Sequence, residues 1–280
     1  MGNILKMLGL FVLIGFSFFY SDKVIEVIKS EDKIMIELKE VEDSYKILPI
    51  DATILGNTII PGMIGKNINI DESYKKMKVS GLFNKNLIVY DTVLPNISIN
   101  NNKDKFIIRG NSNKNLVSII FILDNDLYFD KINEIFNSKE AIANYFIDYN
   151  YLINNSTKIK ETINHEFYSY GNKGEYTPDN LLFSNNLISR IKSKDTIYCL
   201  TDNMSNKVLE LCSKNNLYTI SPSIIGGSSP YITIKENLVS GSIILLNMNS
   251  ETISELPTII DYIRGKGLKI EGLSKVLSEE

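Results

Sequence analysis

One histidine, His165, is the only imidazole in 280 residues; there is no tryptophan, and the cysteines stop at two. A serine nucleophile needs a base, and His165 alone is too little to propose one. Cys199 and Cys212 cannot organise a zinc site by themselves. They allow one disulfide at most, and because Cys199 falls at a strand end and Cys212 on a helix, two buried free thiols are expected. The chain also lacks a Gly-x-Ser-x-Gly elbow, a Walker loop and a dinucleotide fingerprint. Gly226-Gly-Ser-Ser229 reads as a flexible turn over a rim. A formal charge of -3 leaves no electrostatic reason to expect nucleic acid. The missing tryptophan, set beside abundant Asn, Lys and Ile, fits an AT-rich coding bias and excludes no function.

What is present is an ordinary globular composition, 44% hydrophobic and 22% charged. It follows an uncharged run from Met7 to Tyr20 with Lys6 ahead of it. Ile4 and Leu5 bring that run near the lower limit of about 17 residues for a membrane helix. No small-x-small cleavage site follows. Residues 1–21 are therefore expected to be a membrane anchor or signal segment, single-pass, with the bulk of the chain extracytoplasmic. Residues 22–44 read as a helical stalk, since Val24, Val27, Ile28, Ile34, Leu38 and Val41 recur at three- and four-residue steps. Residues 45–112 carry short strand-like runs and one helix with Asp71 as its cap, and read as a small α+β module. A domain boundary is placed near Gly110. From 113 to 280, strand and helix signals alternate, which predicts an α/β fold with a mostly parallel barrel or wound sheet.

The run Gly241-Ser-Ile-Ile-Leu-Leu-Asn247, with Glu255-Leu-Pro257 and Lys266-Gly-Leu-Lys-Ile270 beyond it, resembles the closing unit of the NodB-homology polysaccharide deacetylases. Ala143-Asn-Tyr-Phe-Ile147 and Asn164-His165-Glu166 extend the resemblance over roughly the last 165 residues. Thr58 to Gly62, Asp71 to Lys78 and Val89-Tyr90 are similar to a module that precedes such domains in some Gram-positive envelope proteins. The resemblance implies a distorted (β/α) NodB-like barrel. In an active member it also implies a zinc ion on one aspartate and two histidines, a second aspartate as base, and a further histidine as acid.

None of those groups falls in place. The two aspartates land on Ile122 and Leu123, the histidine pair near Tyr170 and Gly174, the Arg-Pro-Pro-x-Gly loop on Cys199 to Asn203, and the last histidine on Asn247. The implied member is degenerate, with no catalytic residue, no metal ligand and no cofactor; zinc enters only if the alternative of an active deacetylase with displaced ligands holds. A calcium site on Asp124, Asp126 and Asp130 would lack the loop Gly and the terminal Glu. The groove candidates are Asp124, Asn125, Tyr170, Tyr198, Asp202, Asn203 and Asn247, able to hydrogen-bond and stack on a cell-wall polysaccharide or to meet an envelope protein. The competing reading of the same residues is that they cap strand ends. A third alternative is an envelope scaffold in which the barrel is a spacer.

Overall fold

The computed structural model describes residues 23–24 and 26–280. The expected membrane segment lies outside them, and among the described residues no helix is long and apolar enough to cross a membrane. The chain forms two compact units, a smaller one comprising residues up to Pro49 with Ile64–Leu94, and a larger one comprising Ile50–Met63 with Pro95–Glu280.

Helix α1 (Lys33–Tyr45) is followed by strands β1 (Thr53–Leu55), β2 (Thr58–Ile60) and β3 (Gly65–Ile68), helix α2 (Ile70–Ser80) and strand β4 (Tyr90–Val93). The smaller unit is built from α1, α2 and the antiparallel β3–β4 ribbon. The stalk expectation is corrected here. Asp32 interrupts the 22–44 helix by capping α1, accepting the Ile34 N–H at 2.9 Å. Ile34 and Leu38 then bury against Ile68 and Met77 with Val41 beside them, so the second half of the apolar stripe enters the core of this unit while Val24, Val27 and Ile28 stay exposed. The cap of α2 is Asn69, which accepts the Glu72 N–H at 2.9 Å; Asp71 sits inside the first turn.

The larger unit continues with β5 (Phe106–Ile107), β6 (Leu116–Leu123), α3 (Phe129–Ser138), β7 (Ala143–Ile147), α4 (Tyr149–Glu161) and β8 (Glu166–Ser169). Next come α5 (Pro178–Lys192), β9 (Tyr198–Leu200), α6 (Asn206–Lys214), β10 (Tyr218–Ile220) and β11 (Ile224–Ile225). It closes with α7 (Pro230–Asn237), β12 (Ile243–Leu246), α8 (Ser250–Gly265), β13 (Lys269–Ile270) and α9 (Leu273–Leu277). Its strands form two sheets, ordered β1-β2-β5-β10-β9 and β11-β12-β6-β7-β8, with β13 on the start of β6. Every pairing is parallel except β1 with β2.

The boundary expected near Gly110 is therefore misplaced. β1, β2 and β5 belong to a sheet of the larger unit, and Gly110 lies inside it, donating its N–H to the Gly241 carbonyl at 2.8 Å. A Cβ at Gly110 would sit 2.5 Å from the Val276 carbonyl oxygen, so the crossing requires glycine.

Alternation along the strands divides the core in two. Val117, Ile119, Phe121 and Leu123 of β6 face the helices with Tyr145, Ile244 and Leu246. Ile120 faces inward with Phe146, Tyr168, Tyr198, Tyr218, Ile243 and Leu245, filling the space between the sheets. A side-chain carboxylate of the closing segment is used as well. Glu279, 7% exposed, accepts the Gly62 N–H at 2.9 Å, the Ile99 N–H at 3.1 Å and the Ser98 hydroxyl.

A candidate ligand groove over the β8–β9 seam

Between β8 and β9 the two sheets meet without a backbone ladder among the described residues. Side chains join them instead. The Tyr176 phenol accepts the Leu200 N–H at 3.0 Å and donates to the Ser169 carbonyl at 3.0 Å. Below it the Tyr168 ring stands edge-on to Tyr198, centroids 5.2 Å apart, and Tyr198 leans on Tyr218 at 5.7 Å.

Above this seam, where parallel strands present their carboxyl ends, opens a groove of 280 Å³. One wall is the turn after β8, with Tyr170, Lys173, Gly174 and Glu175; the other runs from Leu200 through Thr201, Asp202, Asn203 and Ser205 to Val208. The first wall is pinned by Asp148. Its buried carboxylate accepts the Asn150 N–H at 2.9 Å and the Tyr151 N–H at 3.2 Å at the start of α4, and the Lys173 N–H at 2.7 Å from the wall itself. Gly171, Lys173 and Gly174 all have positive φ, which coils the turn back on itself. A Cβ at Gly174 would lie 3.0 Å from the Tyr170 hydroxyl, so the tyrosine ring occupies the space over that residue. The second wall is stitched by Thr201, whose hydroxyl accepts the Ser205 N–H at 3.1 Å and donates to Asn203 at 3.0 Å.

The structure brings together three of the seven expected residues, Tyr170, Asp202 and Asn203. Burial raises the Tyr170 phenol above its ordinary pKa, and the Asp202, Asp124 and Asp148 carboxylates push it further in the same direction. Asp124 and Asn125 are exposed at the end of β6, bonded to each other at 2.6 Å, outside the groove lining. Asn247 is exposed past the end of β12, also outside it. Tyr198 is corrected from groove to core: it is 3% exposed and points with Leu200 into the space between the sheets, because a strand residue's face is fixed by parity and it is Cys199 that faces α6. Sequence reasoning missed Asp148 and Tyr176. The first had a signal, an aspartate directly ahead of a helix; the phenol of Tyr176 had none, since its partners come from two strands.

The cysteines also depart from expectation. Cys199 and Cys212 form a disulfide, their Cα atoms 6.5 Å apart, because the face of α6 that covers β9 brings Cys212 directly over Cys199. Both are fully buried, packed with Tyr176, Leu181 and Leu217.

The residues at the strand ends do not suit zinc. Leu123 is buried among the helices, Ile122 packs toward the inner core, Tyr170 covers Gly174, and Asn247 offers an amide. Among the described residues no group of three His, Cys, Asp or Glu side chains is placed to hold a metal ion. His165 stands at the opposite end, at the start of β8, where its Nδ1 accepts the Ala143 N–H at 3.3 Å. There it lines a second cavity, of 310 Å³, beside Glu166. Burial pushes the Glu166 carboxyl up, but Lys194, Ser274 and Tyr168 together hold it below its ordinary value. Its oxygens are taken by the Tyr168 hydroxyl at 2.5 Å, the Ser274 N–H at 2.9 Å, the Ser274 hydroxyl and Lys194.

Comparison with known proteins gives the fold. The chain is similar to a CE4 family pseudoenzyme from Bacillus anthracis at 19% identity, with a TM-score of 0.65 over 89% of this chain and 96% of that one. A mutant of that pseudoenzyme, described as having restored enzymatic activity, gives 19% identity and a TM-score of 0.66 over 88% of this chain and 98% of the other. A peptidoglycan N-acetylglucosamine deacetylase, Bc1960, gives 16% identity and a TM-score of 0.55 over 62% of this chain and 94% of that one. No family model matches the chain, and no curated protein does. The α/β fold with parallel sheets is thus that of the CE4 polysaccharide deacetylases, the fold which the closing run had implied.

Proposed function

We propose that this chain is a catalytically inactive, deacetylase-like binding protein of the cell envelope, taking a saccharide unit of a cell-wall glycan in the groove over the β8–β9 seam. The observation that carries the reading is the groove itself. It offers the Tyr170 ring beside the hydroxyls, amides and charges of Lys173, Glu175, Thr201, Asp202, Asn203 and Ser205, the mixture of stacking surface and hydrogen-bonding groups that a sugar uses. The positions where this fold would carry its metal hold leucine, tyrosine and glycine, and the position of its acid histidine holds Asn247, which supports binding without hydrolysis. The likeness to a CE4 pseudoenzyme supports it as well. A buried disulfide suits an oxidising compartment, and the uncharged run from Met7 to Tyr20 suits a membrane anchor that leaves the two units outside the cell.

The test is an acetate-release assay on acetylated glucosamine polymers, run with and without added zinc or cobalt, beside a sedimentation assay with the same polymer. The expected result is no acetate and retention on the polymer. Metal-dependent acetate release would replace the reading with that of an active deacetylase. Asn247→His is expected to restore nothing, because an acid group without a metal-bound water has no nucleophile to serve.

A further inference from the structure

The wall of the groove from Leu200 to Val208 lies wholly within the loop that the Cys199–Cys212 disulfide closes, a separation of 13 residues. On its strand side this wall is held by the parallel pairing of β9 with β10, because the other edge of β9 faces the seam, where the Tyr176 phenol links the Leu200 backbone to the Ser169 carbonyl. The wall also contains Met204 at φ 52, a conformation that a side-chain-bearing residue holds only where its surroundings impose it. The disulfide ties the middle of β9 to the second turn of α6 beneath that segment, and Tyr176 shares one buried cluster with both cysteines.

From this placement we infer that the Cys199–Cys212 disulfide and Tyr176 are positioning residues of the groove: they fix the Thr201–Ser205 wall opposite Tyr170, and the groove takes its ligand in the oxidised protein only. The ligand half of this statement rests on the glycan reading above; the positioning half does not. Reduction by a small dithiol proceeds by thiolate attack on one sulfur, giving a mixed disulfide and one free cysteine. The second thiol of the reagent then displaces the other cysteine, so two electrons and two protons reach the protein and the reagent leaves as a cyclic disulfide. With both sulfurs buried, this exchange requires the wall to open first, and the bond persists while the fold is closed.

The experiment compares the protein as oxidised and after dithiothreitol treatment, with thiols counted in a denatured aliquot, by amide hydrogen exchange and by titration with a tetrasaccharide of N-acetylglucosamine. Exchange in peptides covering 200–208 is expected to quicken about tenfold or more on reduction while peptides of β6 and β12 stay unchanged. Affinity for the tetrasaccharide is expected to fall by about the same factor. The double substitution Cys199→Ser with Cys212→Ser should reproduce the reduced state without reagent. Tyr176→Phe, which keeps the ring and removes the hydroxyl, should quicken exchange at Leu200 and weaken binding with the disulfide intact. Unchanged exchange in the wall, or equal quickening throughout the larger unit, overturns the proposal. If the oxidised protein fails to bind the tetrasaccharide, the glycan reading falls while the exchange measurement still decides the positioning.

Discussion

At the start of β8 the His165 ring is wedged edge-on against Phe136 and Tyr145, centroids 6.2 and 6.0 Å away, with its Nε2 buried and lacking a hydrogen-bond partner. Burial lowers its pKa from 6.5 to about 4, and the nearby Lys192 ammonium acts in the same direction. The unfolded chain therefore takes up a proton before the folded one does. The stabilisation from keeping this ring neutral is complete above pH 6.5 and is lost as the pH falls from 6.5 toward 4, at a rate of at most about 1.4 kcal/mol per pH unit. Urea unfolding at pH 7.5, 6 and 5 should show a decline in the parent protein that is shallower in His165→Asn, whose amide oxygen can still accept the Ala143 N–H. Parallel declines in the two proteins would remove His165 as the cause. This residue was legible in the sequence as part of the Asn164-His165-Glu166 resemblance and as a single imidazole that cannot build the expected site. Its burial among aromatic rings depends on α3 and β7, which no local pattern connects to it.

Among the elements, β12 shows most directly how parity decides the effect of a change. Leu246 is 1% exposed and faces the helices, whereas Asn247, one residue on, is exposed. Leu246→Asp should cost several kcal/mol, on the order of 3 or more, by placing an unpaired charge in apolar surroundings. Asn247→Ala should cost about 1 kcal/mol or less, since no buried partner is left unpaired. Similar losses in denaturant midpoints for the two would mean that the strand ends elsewhere. The turn after β8 gives a second contrast. Gly174 has φ 82 and the Tyr170 ring above it, while Gly227 has open space around it. Gly174→Ala should therefore destabilise by about 1–2 kcal/mol and Gly227→Ala by much less, read by thermal or urea unfolding. Among the strands that were legible, β6, β7 and β12 are mostly apolar runs buried on both faces, broken only by Ser118 and Asn144, which is a signal a sequence carries locally. The strands that were assigned to the wrong unit, β1, β2 and β5, are only two or three residues long, and what defines them is a distant partner: Ile59 pairs with Ile107, and Thr219 with Phe106. The helix at residues 22–44 failed for the opposite reason. Its periodicity was real, but Asp32 offered a cap in the middle and the interior of the smaller unit received only the half of the stripe beyond it, Ile34, Leu38 and Val41.

For the whole molecule, the resemblance of the closing run carried the fold, and the groove was legible only as far as the strand ends could be found. Tyr170, Asp202 and Asn203 follow adjacent strands and meet; Asp124, Asn125 and Asn247 follow strands of the same sheet but lie beyond the groove. What sets the groove's position is the seam, and a seam is a property of which strands fail to pair. Integrity of the larger unit rests on its last residues. Glu279→Ala would leave the Gly62 and Ile99 N–H groups buried without acceptors, a loss of about 1–3 kcal/mol for each such group. A fall in the urea midpoint of the full chain checks this, and a midpoint unchanged from the parent would show that water replaces the carboxylate.

That carboxylate also sets an order in time. Gly62 and Ile99 leave the ribosome 217 and 180 residues ahead of the side chain that satisfies them. The first strands of the larger unit must wait, unfinished, until Glu279 has been made, so this unit closes only after its own last helix has left the ribosome.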